Sequence, residues 1–320
     1  MKRLRLGIAT LAKAVGMSAG VGAGVMAGAM AGILIGTTVG TTAAMAGTVL
    51  ERSLPSPTLG RDYRFTVYLP DGYGESCLSY PVLYLLHGAN GDEHDWLNKG
   101  KIKPTLDRLI NDDAITPMIV VMPGHKQMWW VDANAEKAGT VLMKELLPRI
   151  EQDFRIVEGR AGRMVAGLSA GGQAAVRLAF EHPEMFAAAA ALSPAVYEPL
   201  PPSNSSAMKD PPFQKDGKFD GEAWAKLSWR PLFETYRAQP VVVPFYINSG
   251  DIDRFEIPYH AAALFRELHR HQPGNAIFRV VAGDHEWPVW ASTIGDALEY
   301  MSPHARTPIE ADPARCGAAK

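Results

Sequence analysis

A serine set among small residues, Gly167-Leu168-Ser169-Ala170-Gly171, fits the pattern G-x-S-x-G. In that pattern a tight strand-to-helix bend lifts the hydroxyl above a sheet, the glycines relieve crowding, and the helix N-terminus stabilises nearby negative charge. Five residues alone are a weak signal, but an apolar run at 163–167 precedes them and helical spacing at 171–181 follows. The competing reading, a glycine-rich turn of a nucleotide-binding domain, would need a phosphate-binding glycine pattern that is not present.

A serine hydroxyl is a poor nucleophile until a base takes its proton. His285, in Gly283-Asp284-His285-Glu286-Trp287, stands directly after the last expected strand. His182, His269 and His271 fall late in expected helices, and His94, His125, His260 and His304 read as surface or loop residues. The histidine needs an orienting carboxylate, which in this chain order lies between serine and histidine. Ser249-Gly250-Asp251-Ile252-Asp253 offers two. Either would serve; Asp253 is preferred because the loop must project past its strand to reach the base, while Asp251 suits a turn former. Backbone amides for a developing oxyanion would come from Ala170 and from Ala89 in Leu86-His87-Gly88-Ala89-Asn90-Gly91, with His87 bracing that loop. The implied chemistry is acyl transfer through an acyl-Ser169 intermediate, with no metal and no organic cofactor.

These groups must be held at strand ends. Residues 63–69 alternate as an early antiparallel strand closed by a Pro70-Asp71-Gly72 turn, and 81–86 and 118–122 are short continuous apolar runs. Helical spacing covers 104–110, 140–154, 171–181, 259–271 and 289–301; further strands are expected at 163–167, 186–192, 241–247 and 276–281. Alternating strand and helix predicts an α/β fold with a mostly parallel central sheet, helices on both faces, and ligands at the carboxyl ends of the strands. Residues 197–239, rich in proline with one helical piece at Gly221–Leu227, read as a cap-like insertion. Residues 47–60 read as a Pro/Ser linker, 61–302 as the catalytic domain, and 303–320 as a poorly ordered tail.

Taken together these segments resemble the putative-esterase family of α/β hydrolases, which includes esterase D-type and feruloyl esterases and mycolyltransferases. The resemblance spans about 61–301 and rests on Tyr84–Gly91 with Trp96, Gly167–Gly172, Ser249–Asp253, and Gly283–Trp287 with Trp290. It implies the α/β-hydrolase fold, places the acid on Asp253, three residues beyond Gly250, and the base on His285. The acyl group stays open, since family members act on phenolic, acetyl, siderophore and glutathione thioesters or transfer acyl chains to sugars. A small-molecule or glycan-linked ester is the expected substrate. An acyltransferase using the same triad, with a sugar or alcohol acceptor, and a non-catalytic binding protein on the same fold are the rivals. Trp129 and Trp130 are candidates for an aromatic wall of the site; Trp287 and Trp290 read as braces for the histidine loop.

The 320 residues carry 32 Lys plus Arg against 34 Asp plus Glu, so composition gives no basic surface for nucleic acid. Lys2, Arg3 and Arg5 precede an uncharged stretch from Ala14 to Leu50 that contains Ala44-Met45-Ala46. That order predicts export to the periplasm or medium, with 1–46 a signal peptide cleaved after Ala46. A retained membrane anchor is the alternative, because the stretch is long and glycines recur every fourth residue from Gly16 to Gly40. Cys77 and Cys316 give neither a disulfide framework nor a metal-ligand spacing, and their pairing is left open.

Overall fold

The computed structural model describes residues 46–125, 129–133 and 136–316. The proposed signal peptide or anchor, 1–46, lies outside the described residues except for Ala46. Among the described residues no helix is long and apolar enough to cross a membrane.

Eight strands form the central sheet: β1 (Thr48–Ser56), β2 (Arg61–Leu69), β3 (Val82–Leu86), β4 (Ile119–Pro123), β5 (Arg163–Leu168), β6 (Ala188–Leu192), β7 (Phe245–Gly250) and β8 (Ala276–Val281). Their spatial order is β1-β2-β4-β3-β5-β6-β7-β8. β1 pairs antiparallel with β2, and β2 antiparallel with β4; every later pairing is parallel. β3, β4, β6 and β7 are buried at every position, and β3, β4 and β6 accordingly read as unbroken apolar runs. Successive side chains of a strand point to opposite faces. Accordingly Val82, Tyr84 and Leu86 join one core and Leu83 and Leu85 the other.

The helices are α1 (Ile102–Asn111); α2 (Ala138–Val141, continued by a π-helical turn at Leu142–Leu146 and by Leu147–Asp153); α3 (Ala170–Glu181); α4 (Gly221–Leu227); α5 (Trp229–Tyr236); α6 (Ile257–His271); and α7 (Trp287–Met301). α1 and α7 share a core with one face of the sheet, while α2, α3 and α6 share the core on the other. α3 is buried from Ala170 through Phe180, and its small residues suit the close approach to the alanine-rich β6.

Three expectations need correction. Residues 47–60 are not a linker, because Thr48–Ser56 is the edge strand β1, registered from Thr48 against Leu69 to Ser56 against Arg61. Pro55 is tolerated there since, among the described residues, the strand has no neighbour on its other side. The tail is tied down: Ile309–Glu310 pairs with Leu78–Ser79, and the Arg315 guanidinium donates to the carbonyls of Glu151 and Phe154, both at 2.6 Å, at the end of α2. Helix C-terminal carbonyls lack intrahelical donors, so a cation there satisfies them. Cys77 and Cys316 are joined in a disulfide with Cα atoms 5.2 Å apart, which pins the same tail. Lastly, the strand expected at 241–247 begins at Phe245, after two prolines, Pro240 and Pro244, that carry no amide hydrogen for the ladder.

Candidate active site

β5 ends at Leu168 and α3 begins at Ala170, leaving Ser169 alone in the bend with φ 54° and ψ −118°. A non-glycine residue at positive φ is strained, and such strain persists only where the surroundings over-determine it. Here the Ser169 amide donates to the Leu192 carbonyl at 2.9 Å, and the Ser169 carbonyl accepts from Gln173 and Ala195. The bend also needs Gly171: a Cβ there would sit 2.4 Å from the His87 carbonyl oxygen and 2.6 Å from that of Leu86. The turn bearing Ser169 is therefore pressed directly against the end of β3.

Ser169 Oγ lies 2.8 Å from His285 Nε2, and His285 Nδ1 lies 2.7 Å from Asp253 Oδ2. The Asp253 side chain is fully buried and its other oxygen accepts from the Phe255 amide at 3.0 Å. The imidazole is held edge-on between Phe255 (4.8 Å, 85°) and Trp290 (5.0 Å, 87°), and Trp290 is itself anchored by its indole N–H to Ser193 Oγ. Of the two aspartates the sequence left open, Asp253 meets the histidine. Asp251 instead accepts from the Gly283 amide at 2.9 Å, bridging its loop to that of His285. Asp284 pairs with Arg254 at 2.7 Å, and the guanidinium hydrogen bond, together with the backbone amides it accepts from, draws its pKa down to about 2.

The Leu86–Gly91 loop arrives from β3. The Gly91 amide donates to the Gly88 carbonyl at 3.1 Å, with Asn90 at φ 62° inside the turn. His87 is buried and its Nδ1 lies 2.7 Å from the same Gly88 oxygen. His87 thus bonds within its own loop, while the Ser169 hydroxyl pairs with His285. Ala89 lines the cavity with Ser169, and Ala170 opens α3, whose first amides have no intrahelical acceptor. His125, expected at the surface, is buried against His87 (4.9 Å) and Trp130 (4.1 Å). Burial lowers the pKa of both histidines, that of His125 strongly.

Ser169 and His285 open into a cavity of about 710 Å³. Trp129 lines it, held by its indole N–H to Ser206 Oγ (3.0 Å) and by edge contacts with Phe213 and Trp224. Trp130, expected beside it, lies underneath the loop: its indole donates to the His87 carbonyl at 3.0 Å and its ring is buried. Adjacent residues of an irregular segment send their side chains apart, and only one of the pair reaches the cavity. Trp287 and Trp290 touch the cavity while also packing on each other at 5.3 Å. The region expected as a cap supplies Tyr197, Ser203, Asn204, Ser205, Ser206 and Lys209. Those residues carry no motif, and only their place in a long interruption of the strand-helix rhythm pointed to them.

The chain matches the family model described as "Putative esterase" over residues 56–301. The endo-1,4-beta-xylanase/feruloyl esterase of Xylanibacter ruminicola is 34% identical over 172 residues, covering 51% of this chain and 24% of that protein. The esterase Rv1288 of Mycobacterium tuberculosis is 38% identical over 135 residues, 40% of this chain and 28% of that one. The chain thus spans about a quarter of the length of these two curated relatives. A solved ferulic acid esterase is 26% identical and superimposes with a TM-score of 0.71, covering 81% of this chain and 99% of its own.

Proposed function

The chain belongs to the "Putative esterase" family of α/β hydrolases, and on that premise we propose that it is a serine carboxylesterase working through an acyl-Ser169 intermediate. The observation that carries this is the unbroken relay from Ser169 Oγ through His285 to Asp253, with both contacts at hydrogen-bond distance and opening into a cavity. His285 takes the serine proton as the hydroxyl attacks the ester carbonyl, then returns it to the departing alcohol. Asp253 holds the imidazole in the tautomer that leaves Nε2 free to accept. The amides of Ala89 and Ala170 stabilise the oxyanion, and water resolves the acyl-enzyme with His285 as base.

The aromatic wall at Trp129 and the relatives named as feruloyl and ferulic acid esterases make a phenolic acyl ester the substrate to try first. Export fits both the basic-then-apolar N-terminal order and the Cys77–Cys316 disulfide, a bond that persists in oxidising compartments. The test is hydrolysis of nitrophenyl acetate and of methyl ferulate by the wild type and Ser169→Ala. Removal of the nucleophile should lower kcat by several powers of ten, on the order of 10⁴- to 10⁶-fold. Equal activity of the two proteins would remove Ser169 from the mechanism.

A further inference from the structure

The loops that carry Asp253 and His285 are joined by more than the contact between those side chains. The Asp251 amide donates to the Val281 carbonyl at 2.8 Å and the Ile252 amide to the Gly283 carbonyl at 3.2 Å. One side chain reaches both functional positions at once. Oδ1 of Asp284 accepts from the Arg254 amide at 2.8 Å, directly after Asp253, and from the His285 amide at 2.6 Å. Its Oδ2 takes the Arg254 guanidinium at 2.7 Å.

We infer that Asp284 is a positioning residue: one carboxylate oxygen fixes the backbone at Arg254 and at His285, and so sets the angle at which the imidazole meets Ser169. Every side-chain torsion of Asp253 and His285 starts from that backbone, and an error of about 1 Å in a reacting geometry can cost roughly 100-fold in rate. The alternative, that the Arg254–Asp284 pair serves stability, fits poorly with its place at the surface. The two side chains are 54% and 27% exposed, and exposed ion pairs contribute little. The guanidinium instead aims the carboxylate and keeps it charged, and a charged acceptor makes shorter and stronger bonds to amides than a neutral one. Asp253, Asp284, Arg254 and Glu286 are charged groups about the imidazole, all four on the two loops Asp284 ties.

The kinetic consequence rests on the esterase reading; the geometric one does not. The test compares wild type, Asp284→Ala, Asp284→Asn and Asp284→Glu in the full chain. The first readout is the far-downfield proton resonance of the His285–Asp253 hydrogen bond, assigned by its loss in His285→Gln. Asp284→Ala should broaden or abolish it and lower kcat by roughly 10- to 100-fold, with KM within about three-fold of wild type. Asp284→Asn retains an acceptor for both amides and should recover the resonance and most of the rate. Asp284→Glu keeps the charge but moves the oxygens by a methylene, and should behave as the alanine variant does; it decides the matter if Asp284→Ala does not fold. A resonance unchanged in both Asp284→Ala and Asp284→Glu, with kcat within about two-fold of wild type, overturns the inference. If wild type is inert toward esters yet Asp284→Ala loses the resonance, the positioning role stands and the esterase reading falls.

Discussion

His87 and His125 lie stacked beneath the Leu86–Gly91 loop, and among the described residues neither ring nitrogen of His125 has a hydrogen-bond partner. Burial holds both below the ordinary histidine pKa near 6.5. As pH falls below that value, the unfolded chain takes up protons that the folded chain refuses. Stability is therefore full above about pH 6.5 and falls as the solution is acidified, until the folded pKa is passed. Each such histidine steepens the fall by at most about 1.4 kcal/mol per pH unit, the limit for one proton of difference between the two states. His125→Phe keeps a ring in place and removes one titrating group. Its urea-unfolding free energy should decline less steeply between pH 6.5 and 5 than that of wild type, by up to that slope; identical slopes would show that His125 takes up its proton as readily in the native state as in the unfolded chain. The brace above does not depend on that neutrality, since His87 Nδ1–H donates to the Gly88 carbonyl in either protonation state.

The bend between β5 and α3 works only because two elements nearly touch, and Gly171 is where they do. Gly171→Ala would put a methyl group 2.4 Å from a backbone oxygen that no rotamer change can move. It should cost about 1–3 kcal/mol or more of stability, and kcat/KM should fall at least about ten-fold as the turn and the end of β3 separate. Gly74→Ala, whose added carbon meets nothing, should leave both measurements unchanged and serves as the control. Residues of this kind explain what was legible in the sequence. The strand ends bearing Ser169, His285 and Asp253 showed because each strand carries a cluster of apolar residues and the turn at its end carries glycine. β1 did not show, since an edge strand exposed on one side reads as polar and its Pro55 as a linker residue. α5 was lost in the proline-rich interruption, and its amphipathic face appears only once it packs on α3. The Trp129 and Trp130 pair could not be divided from sequence, because adjacent positions in an irregular segment carry no periodicity.

At the scale of the molecule, the sheet separates two cores that differ in what they support. The core with α2, α3 and α6 runs beneath the Ser169 turn and into the region of residues 197–239, whereas the core with α1 and α7 backs the His285 loop. The loops bearing Ser169, Asp253 and His285 leave the sheet at the carboxyl ends of β5, β7 and β8, so the site depends on both cores being filled. Around this arrangement runs the Cys77–Cys316 bond, which spans 239 residues and encloses Ser169, Asp253 and His285 in a single covalent ring. β1, β2, the turn after them and what precedes them hang outside it on the N-terminal side. Consider tension applied along the chain from the N-terminus, as a surface tether would apply it. Once the β1–β2 hairpin peels away, the load crosses the sulfur bridge and leaves by the tail, bypassing the ring. A pulling experiment between the two ends should release no more than about 120 Å of contour from residues 47–77, at roughly 3.6 Å per residue. Reduction should free several hundred ångströms more. In the oxidised protein Ser169, Asp253 and His285 lie off the force path, so their mutual geometry would survive a load applied through the N-terminus.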